Sequence, residues 1–244
     1  MKALVLAGGR GRRVDDRADA GNKCLLELRG RPLVEYSLAN AVAAGASSVV
    51  VVVGFRAEEV RARCGTDWRG VPLQYVHQDR PHGLVHAMTC AQSALGAGDF
   101  MLFLADEVLL APRHEEMLRF HREHGLYATC GVVRAADPDA VRKTYALICE
   151  PDSGRIHRLI EKPRQPRDTR MGTGNCILPS ALFDFVERTP VHPERGEKEL
   201  PDLIQCAIDA GHDVRCFDIG AGYVNVNTAA DLAAAEARLG GAGG

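Results

Sequence analysis

The sequence predicts a single α/β domain built on a mainly parallel, doubly wound mixed sheet, with an antiparallel addition in its second half. Up to about residue 110, short apolar runs rich in β-branched residues alternate with helical patterns, the order typical of a parallel sheet with helices on both faces. Beyond that point, apolar runs follow one another across turn signals, as antiparallel strands do. Ligands of such sheets bind at the carboxyl ends of the strands, so we expect the functional site there.

The first half contains four candidate strands and three candidate helices. The strands are short apolar runs, and the helices repeat apolar residues at intervals of three and four. Their alternating order predicts that the strands run parallel. In chain order they are a strand at 3–6, a helix at about 33–44, a strand in "SSVVVVVGF", a helix at about 58–64, a strand in "LQYVH", a helix at about 84–95 and a strand in "FMLFLAD".

The second half loses that alternation. "YATCGVV", "TYALICE" and "RIHRLIEK" are candidate strands, and "EPDSGR" between the last two suits a hairpin turn. "LPSALFDFVER" and "LPDLIQCAIDAG" show helical patterns, the second with Gly211 as a C-cap. "DVRCFDI" is a further candidate strand, and "AADLAAAEARLGGAGG" is a final helix with a flexible tail at 241–244. No linker interrupts residues 1–240, which we predict to be one domain.

The amino-acid composition argues against several classes of protein function. The chain has 244 residues, 46% of them hydrophobic, a formal net charge of −2 and a pI near 6.5. It therefore lacks the basic footprint of a nucleic-acid binder or a membrane-surface protein. The eight cysteines and the histidines show no zinc-ligand spacing, and no apolar run has the length of a signal peptide or a transmembrane span. We expect a cytoplasmic protein with reduced thiols and with no nucleic-acid or membrane partner.

The stretch "LVLAGGRGRRVDDRADAGNKCLLEL" at 4–28 begins as a buried strand and continues as a loop rich in glycine and arginine. Gly9 and Gly11 match the first two glycines of a dinucleotide fingerprint, but Val14 stands at the third position and irregular sequence follows where a helix would be needed. No G-K-[ST] of a Walker A loop is present. Exposed backbone N–H groups beside arginines still form a nest for phosphate oxygens. The loop is thus a candidate phosphate site, with a solvated turn as the alternative.

Motifs in a fixed order extend this interpretation. "LAGGRGRRV" is followed by "NKCLLEL", which places Lys23 ten residues after Arg13. Then come "HQDRPHGLVHAM", "FLADEVLL", "LIEKP", "MGTGNCIL", "ERGEKELPDLI" and "YVNVNTAADL". In content and order, these stretches resemble the motifs of the sugar-phosphate nucleotidyltransferases, above all the thymidylyl- and uridylyltransferases that act on glucose 1-phosphate. The resemblance spans about residues 3–235. It implies a Rossmann-like (GT-A-like) fold with a nucleotide-binding half at about 1–110 and a sugar-phosphate-binding half at about 111–240.

The reaction implied by the resemblance joins a nucleoside triphosphate, with UTP or dTTP favoured, to a sugar 1-phosphate, and it releases pyrophosphate. The attacking phosphate oxygen is already an anion at neutral pH, so catalysis needs alignment and charge neutralisation and no general base. The implied cofactor is Mg²⁺, which prefers oxygen ligands and keeps positions for water and phosphate. The implied partners are the triphosphate and the sugar 1-phosphate or a similar monoester, bound by a monomer or homodimer.

The resemblance also assigns residues. Catalysis would fall to Arg13, Lys23 and Asp106. The nucleotide would contact Leu6, Ala7, Gly8, Gly9, Gly11, Gln78 and Gly83, of which Gln78 and Gly83 would read the base. The sugar phosphate would contact Glu161, Lys162, Gly174, Asn175, Arg195 and Glu199. The metal would be held by Asp106 and Asn225, with Asn227 as the alternative second ligand. Lysine is scarce, with five residues against twenty-five arginines, which favours phosphate roles for Lys23 and Lys162.

Four departures from the family pattern leave the substrates open. The chain has Asn22 where many relatives have proline, Val14 for leucine, Ala146 for glycine and Asn225 for aspartate. Glu107, where the family often has asparagine, is either a second-sphere group or solvated. A nucleotidyltransferase for a cyclitol phosphate, phosphocholine or molybdopterin, using GTP or CTP, is one rival. A glycosyltransferase would need a D-x-D that "ADEV" lacks. A non-catalytic nucleotide-sugar-binding protein would not need the phosphate and metal groups.

Overall fold

The computed structural model describes residues 1–9, 22–226 and 229–241. Over these residues the chain forms fourteen strands. They are β1 (Lys2–Leu6), β2 (Glu27–Leu28), β3 (Arg31–Pro32), β4 (Val49–Val53), β5 (Asp67–Trp68), β6 (Val71–His77), β7 (Asp99–Leu104), β8 (Glu107–Leu110), β9 (Ala128–Arg134), β10 (Tyr145–Cys149), β11 (Ile156–Glu161), β12 (Arg170–Pro179), β13 (Val214–Asp218) and β14 (Gly222–Asn225).

The described part of the chain also forms seven α-helices and three 3₁₀ helices. The α-helices are α1 (Leu33–Ala43), α2 (Ala57–Cys64), α3 (Gly83–Cys90), α4 (Gln92–Leu95), α5 (His114–Glu123), α6 (Leu200–Asp209) and α7 (Ala229–Gly241). The 3₁₀ helices are Lys23–Leu25, Pro138–Lys143 and Ser180–Phe185. None of these described helices combines the length and the apolar character needed to cross a membrane.

Most predicted helices are present, with two corrections. The predicted helix at 84–95 is divided at Ala91 into α3 and α4. The predicted helix at 178–188 is wrong, because its first two residues complete β12 and only one short 3₁₀ helix follows. α6 ends as predicted, since Gly211 follows the C-cap residue with φ +93° and donates to the carbonyl of Ile208. α7 reaches Gly241, and residues 242–244 of the predicted tail lie outside the described residues.

A parallel core of four strands confirms the predicted fold class. The strands lie in the order β7, β1, β4 and β6, and each neighbouring pair is parallel. All five valines of β4 are buried, as expected for a strand covered by helices on both faces. Because these strands are parallel, their carboxyl ends meet at one edge of the sheet, where Leu6 and Leu104 end β1 and β7.

The antiparallel addition is organised by β12, a strand that the sequence analysis did not predict. β12 runs antiparallel to β7, β9 and β10, and so joins the parallel core to the second half. Its register against β9 shifts between Gly172 and Cys176, where three residues of β12 (173–175) lie opposite one residue of β9, Gly131. This bulge re-aims the backbone of the intervening residues. Two glycines and two polar side chains interrupt the apolar pattern there, which hides the strand from pattern analysis.

The two outer strands of the second half, β11 and β13, lie close to each other. β11 pairs antiparallel with β10, whereas β13, for which the sequence predicted a strand but no direction, pairs parallel with β9. A bridge between Arg155 and Arg215 and the bond from the N–H of Cys216 to the carbonyl of Gly154 (2.9 Å) connect the start of β11 to β13. Through these contacts β9, β12, β10, β11 and β13 nearly close into a small barrel.

A short antiparallel ribbon, formed by β8 and β14, lies beyond the carboxyl end of β7 and positions polar residues there. β8 begins two residues after β7, and Asn225 of β14 lies opposite Glu107 in antiparallel register. The N–H of Val226 donates to the carbonyl of Asp106 at 2.9 Å. The ribbon therefore holds Asp106 and Asn225, which are far apart in sequence, at the same edge of the sheet.

Gly172 should be essential for the packing of this region. A Cβ atom on residue 172 would lie 1.9 Å from the ring of Tyr145, its partner across the sheet. We therefore expect Gly172→Ala to lower the free energy of unfolding by about 1–3 kcal/mol in urea titrations, as overpacking does. In a Tyr145→Ala background the same change should be nearly neutral, and equal losses in both backgrounds would contradict the clash.

Candidate active site

A cavity of about 460 Å³ opens at the carboxyl ends of β1 and β7. It is lined by every described residue that the sequence analysis assigned to the nucleotide or to catalysis, namely Leu6, Ala7, Gly8, Gly9, Lys23, Gln78, Gly83 and Asp106. Gly11 and Arg13 lie outside the described residues, as does Asn227. We call this space the nucleotide cavity.

Lys23 and Asp106 form an ion pair on the wall of the nucleotide cavity. Lys23 Nζ lies 2.6 Å from Asp106 Oδ2, and the two side chains are 10% and 29% exposed. Asp106 lies just after β7, in the turn before β8, so its position follows directly from the parallel core. A nearly buried ammonium beside a half-buried carboxylate places opposite charges where a phosphate and a cation could bind together.

Asn22 holds Lys23 in place. Its Oδ1 accepts from the N–H of Cys24 (3.1 Å) and caps the 3₁₀ helix that carries Lys23. Its Nδ2 donates to the carbonyl of Phe55 at 2.7 Å and to that of Ala7 at 3.2 Å. The side chain is buried, and these three bonds fix it against two neighbouring loops. Asn22 thus makes contacts that a proline at this position, as in many relatives, could not make.

The far wall of the nucleotide cavity contains Gln78 and Gly83. Gln78 Nε2 donates to the carbonyl of Gly83 (3.2 Å) and lies 2.9 Å from His86 Nδ1. Gly83 has φ +88°, and a Cβ atom there would lie 2.9 Å from Cβ of Glu197. Glu197 itself lines the cavity. Glu197 belongs to the motif "ERGEKEL", in which only the neighbouring Arg195 and Glu199 were predicted as site residues.

A second cavity of about 150 Å³ lies beside the first, and Leu84 and Leu104 line both. We call it the acceptor cavity. Predicted sugar-phosphate and metal residues line it, namely Glu161, Lys162, Gly174, Glu199 and Asn225. Gly174 has no room for a side chain, because a Cβ atom there would lie 2.2 Å from Leu104 Cγ. The predicted site residues on different strands are therefore brought together around two adjoining cavities.

Charged side chains form a network at the mouth of the acceptor cavity. Glu161 Oε1 lies 2.9 Å from Lys162 Nζ and 3.4 Å from a terminal nitrogen of Arg195, whose Nε lies 2.7 Å from Glu199 Oε1. Burial raises the pKa of Glu161, against the opposing effect of Lys162. Lys162 has a left-handed backbone (φ 43°), an unusual conformation for a side chain of this size. These alternating charges suit an acceptor with both hydroxyls and a phosphate.

Asn175, like Arg195, is not among the residues that line either cavity. Its side chain is buried beneath the acceptor cavity, where Oδ1 lies 2.8 Å from His114 Nε2 and Nδ2 donates to Glu107 Oε2 at 2.9 Å. The bulge in β12 turns it away from the cavities and into the interior. Asn175 therefore supports the acceptor cavity from below, through its contacts with His114 and Glu107.

Glu107 is the principal residue that the sequence analysis left unassigned. It is buried, and its carboxylate accepts from the N–H of Gly174, from Asn175 Nδ2 and from the hydroxyl of Tyr223 (2.6 Å). Burial raises the pKa of Glu107 to about 8, against the opposing effect of the Tyr223 hydroxyl. Glu107 is thus the centre of a polar network that ties β8, β12 and β14 together under the acceptor cavity.

The residues at the junction fit a magnesium ion. Asp106, in the turn before β8, offers a carboxylate, and Asn225, at the end of β14, offers an amide oxygen. Mg²⁺ is commonly bound by one or two protein oxygens together with phosphates and water. Among the described residues, no group of three or more His, Cys, Asp or Glu side chains could hold a metal alone. This donor set matches a metal that is shared with a bound phosphate.

His114 provides a pH test of the buried network. Burial lowers the pKa of His114 from 6.5 to about 4. Between these pH values the unfolded chain binds a proton that the folded chain excludes, so stability falls as the pH falls, by up to about 3 kcal/mol. His114→Gln, which keeps a donor for Asn175, should remove most of this loss in urea titrations at pH 7 and pH 5. His124→Gln, an exposed control, should keep it, and an unchanged slope in His114→Gln would contradict the assignment.

Comparisons with known proteins agree with this geometry. The chain matches the nucleotidyl transferase family over residues 2–239. It is 31% identical over 242 residues to glucose-1-phosphate thymidylyltransferase from Streptomyces griseus, covering 95% of this chain and 64% of that protein. It is 30% identical over 240 residues to UTP–glucose-1-phosphate uridylyltransferase from Haloferax volcanii, covering 98% and 96%.

Solved structures support the fold. The crystal structure of UDP-glucose pyrophosphorylase complexed with UDP-glucose superposes with a TM-score of 0.87 at 18% identity, over 99% of this chain and 98% of that one. The mixed sheet is therefore that of known nucleotidyltransferases. Together with the family match over nearly the whole length, this confirms the resemblance found in the motifs: the chain belongs to the nucleotidyl transferase family.

Proposed function

We propose that this protein joins a nucleoside triphosphate, UTP or dTTP, to a sugar 1-phosphate, producing a nucleotide-sugar and pyrophosphate. The observation that carries the proposal is the meeting of two cavities near one ion pair, that of Lys23 and Asp106. One cavity has a glycine-rich wall suited to a nucleotide, and the other has a network of carboxylates and cations suited to a sugar phosphate. The thymidylyl- and uridylyltransferase relatives favour these substrates.

Lys23 would bind the α-phosphate or the incoming monoester, neutralising charge as the new phosphate bond forms. Arg13 would stabilise the leaving pyrophosphate. The monoester needs no base, so the residues have only to align two anions and hold them together. Asp106, with Asn225 or Asn227, would hold Mg²⁺, whose charge would offset that of the phosphates. The eight thiol cysteines support a cytoplasmic location, and we propose a monomer or homodimer.

The acceptor would bind through the charged network at its cavity. Glu161 and Glu199 would accept hydrogen bonds from sugar hydroxyls, and Lys162 and Arg195 would bind the phosphate. Gly174 would let the sugar approach the backbone, because a side chain there would already collide with Leu104. Binding of the acceptor would then replace part of the ion pairing that links these residues.

The decisive experiment measures pyrophosphate release in magnesium. UTP, dTTP, CTP, GTP and ATP are each paired with a panel of sugar 1-phosphates, cyclitol phosphates and phosphocholine. Release with a pyrimidine triphosphate and a sugar 1-phosphate supports the proposal, whereas release with another acceptor alone would reassign the substrate. Tight triphosphate binding without release for any pair would indicate a nucleotide-binding protein.

Gln78 should control the choice of base. Its amide offers both a donor and an acceptor, which suits the N3–H and a carbonyl of uracil or thymine. We expect Gln78→Ala to reduce the ratio of kcat/KM for the preferred and the other triphosphates by about 10-fold, the effect of one or two hydrogen bonds. The exposed Gln92→Ala is the matched control. An unchanged ratio would show that other residues read the base.

A further inference from the structure

Two cysteines outside both cavities lie close together where the small barrel closes. Cys149 ends β10, at a shift in its register with β11, and Cys216 lies in the middle of β13. Their sulfur atoms are 3.8 Å apart, although 67 residues separate them in sequence. The N–H of Cys216 donates to Gly154, so the hairpin after Cys149 is fastened to β13. The pair therefore stays close because of the fold, and not because of flexible side chains alone.

A guanidinium contacts one of these two sulfurs. The terminal nitrogen Nη1 of Arg170 donates to Cys149 Sγ at 3.0 Å. In the described part of the chain, the buried Nε of Arg170 has no hydrogen-bond partner. Such a cation stabilises negative charge on the sulfur that it contacts. Cys149 is thus placed as the nucleophile of the pair.

Cys216 is the protonated partner of the pair. Burial raises the pKa of Cys216 to about 12, with a further contribution from Cys149, so its sulfur stays protonated. A small cavity of about 210 Å³ is lined by Cys216, Arg170 and the turn residues Ser153 and Gly154. Cys149 is not among the residues that line this cavity, but it is partly exposed in its own right, so a small oxidant can reach both sulfurs. By contrast, the cross-strand neighbours Cys130 and Cys176 are fully buried and line no such cavity in the part of the chain that the structure describes.

We propose that Cys149 and Cys216 form a reversible disulfide when the protein meets a hydroperoxide. With hydrogen peroxide, Cys149 first releases its proton to solvent, its thiolate sulfur attacks one peroxide oxygen, the O–O bond breaks, and Cys149 becomes a sulfenic acid while hydroxide leaves; the released proton later neutralises the second hydroxide. Hydroxide takes the proton of Cys216, whose sulfur then attacks Cys149 and expels the second hydroxide, which leaves as water once protonated. In sum, two thiols are oxidised, one peroxide is reduced, and two molecules of water form.

The disulfide would fasten the hairpin of β10 and β11 to β13. Cys149 lies at the end of β10 remote from Tyr145, which packs under the acceptor cavity. The bond would therefore constrain the barrel without entering the site. We expect a rise in Tm of about 5–10 °C, because a cross-link over a long loop restricts the unfolded chain, and little change in the basal activity.

The test treats the full chain with stoichiometric hydrogen peroxide, blocks the remaining thiols, and maps cross-linked peptides by mass spectrometry. The expected result is a loss of two thiols per chain, a peptide joining Cys149 to Cys216, and full reversal by dithiothreitol. In Cys216→Ser, dimedone should trap a sulfenic acid at Cys149. Arg170→Gln should slow the reaction at least about tenfold, whereas the exposed control Arg119→Gln should not.

Two results would overturn the proposal. One is a wild-type chain in which both cysteines remain alkylatable after oxidation. The other is preferential cross-linking or oxidation at Cys90 or Cys206, which are also partly exposed. Because both readouts use the wild-type protein, they do not depend on whether the variants fold. Neither result bears on the nucleotidyl transfer, which the activity panel tests separately.

Discussion

Asp106→Asn should lower the rate of pyrophosphate release by at least about a thousandfold. The carboxylate of Asp106 is paired with the nearly buried ammonium of Lys23 at the junction of the cavities, and we assign it to the metal. Asparagine keeps the shape and a neutral acceptor for Lys23 but removes the negative charge. We expect the free energy of unfolding to fall by about 1–3 kcal/mol, because the nearly buried ammonium of Lys23 keeps a neutral acceptor but loses its negative partner.

The measurement is kcat at increasing magnesium concentration for the wild type and the variant. Asp152→Asn, an exposed change in the hairpin turn, is the matched control and should behave like the wild type. The expected variant shows a small kcat at all magnesium concentrations and an intact thermal transition. A kcat within about tenfold of the wild type, with the same magnesium dependence, would remove Asp106 from the reaction.

Glu107→Leu should destabilise the fold by about 3–5 kcal/mol. The change would leave the N–H of Gly174, the amide of Asn175 and the hydroxyl of Tyr223 without the carboxylate that accepts from them. Each buried donor that loses its partner costs about 1–3 kcal/mol. Glu107→Gln should be milder, since its amide can keep one acceptor, and it should chiefly raise the KM for the acceptor by displacing Gly174.

Urea unfolding of both variants and of Glu115→Leu, an exposed change in the first turn of α5, gives the comparison. The control should shift the free energy of unfolding by less than about 0.5 kcal/mol. If Glu107→Leu were as stable as the control, the network under the acceptor cavity would contribute nothing to the fold. An acceptor KM that is unchanged in Glu107→Gln would separate that network from the site.

The parallel half of the fold could be predicted because its signals are local. Runs such as the five valines of β4 and the apolar "FMLFL" of β7 are visible without any tertiary contact. The place of Asp106 then follows, since a polar residue directly after such a strand must lie at the carboxyl edge. Lys23 and Gln78 were found from motif order, and both line the cavity at that edge.

β12 and its surroundings could not be predicted in the same way. Gly172 and Gly174 are required by the ring of Tyr145 and by Leu104, contacts between strands that no local pattern records. The bulge that follows Gly172 turns Asn175 inward and surrounds Glu107 with hydrogen-bond donors. The sequence motifs assigned Asn175 and Glu161 to the sugar on equal grounds. The path of the backbone then places Glu161 at the acceptor cavity and Asn175 beneath it.

The loop that carries Glu197 and Glu199 belongs to both cavities. Glu197 lines the nucleotide cavity against Gly83, and Glu199 lines the acceptor cavity through its pair with Arg195. A nucleotide that displaced the backbone at Glu197 would act only two residues from Glu199, the carboxylate that we propose for acceptor binding. Thermodynamic linkage makes such an effect reciprocal: whatever factor the triphosphate applies to the affinity for the acceptor, the acceptor applies to the affinity for the triphosphate.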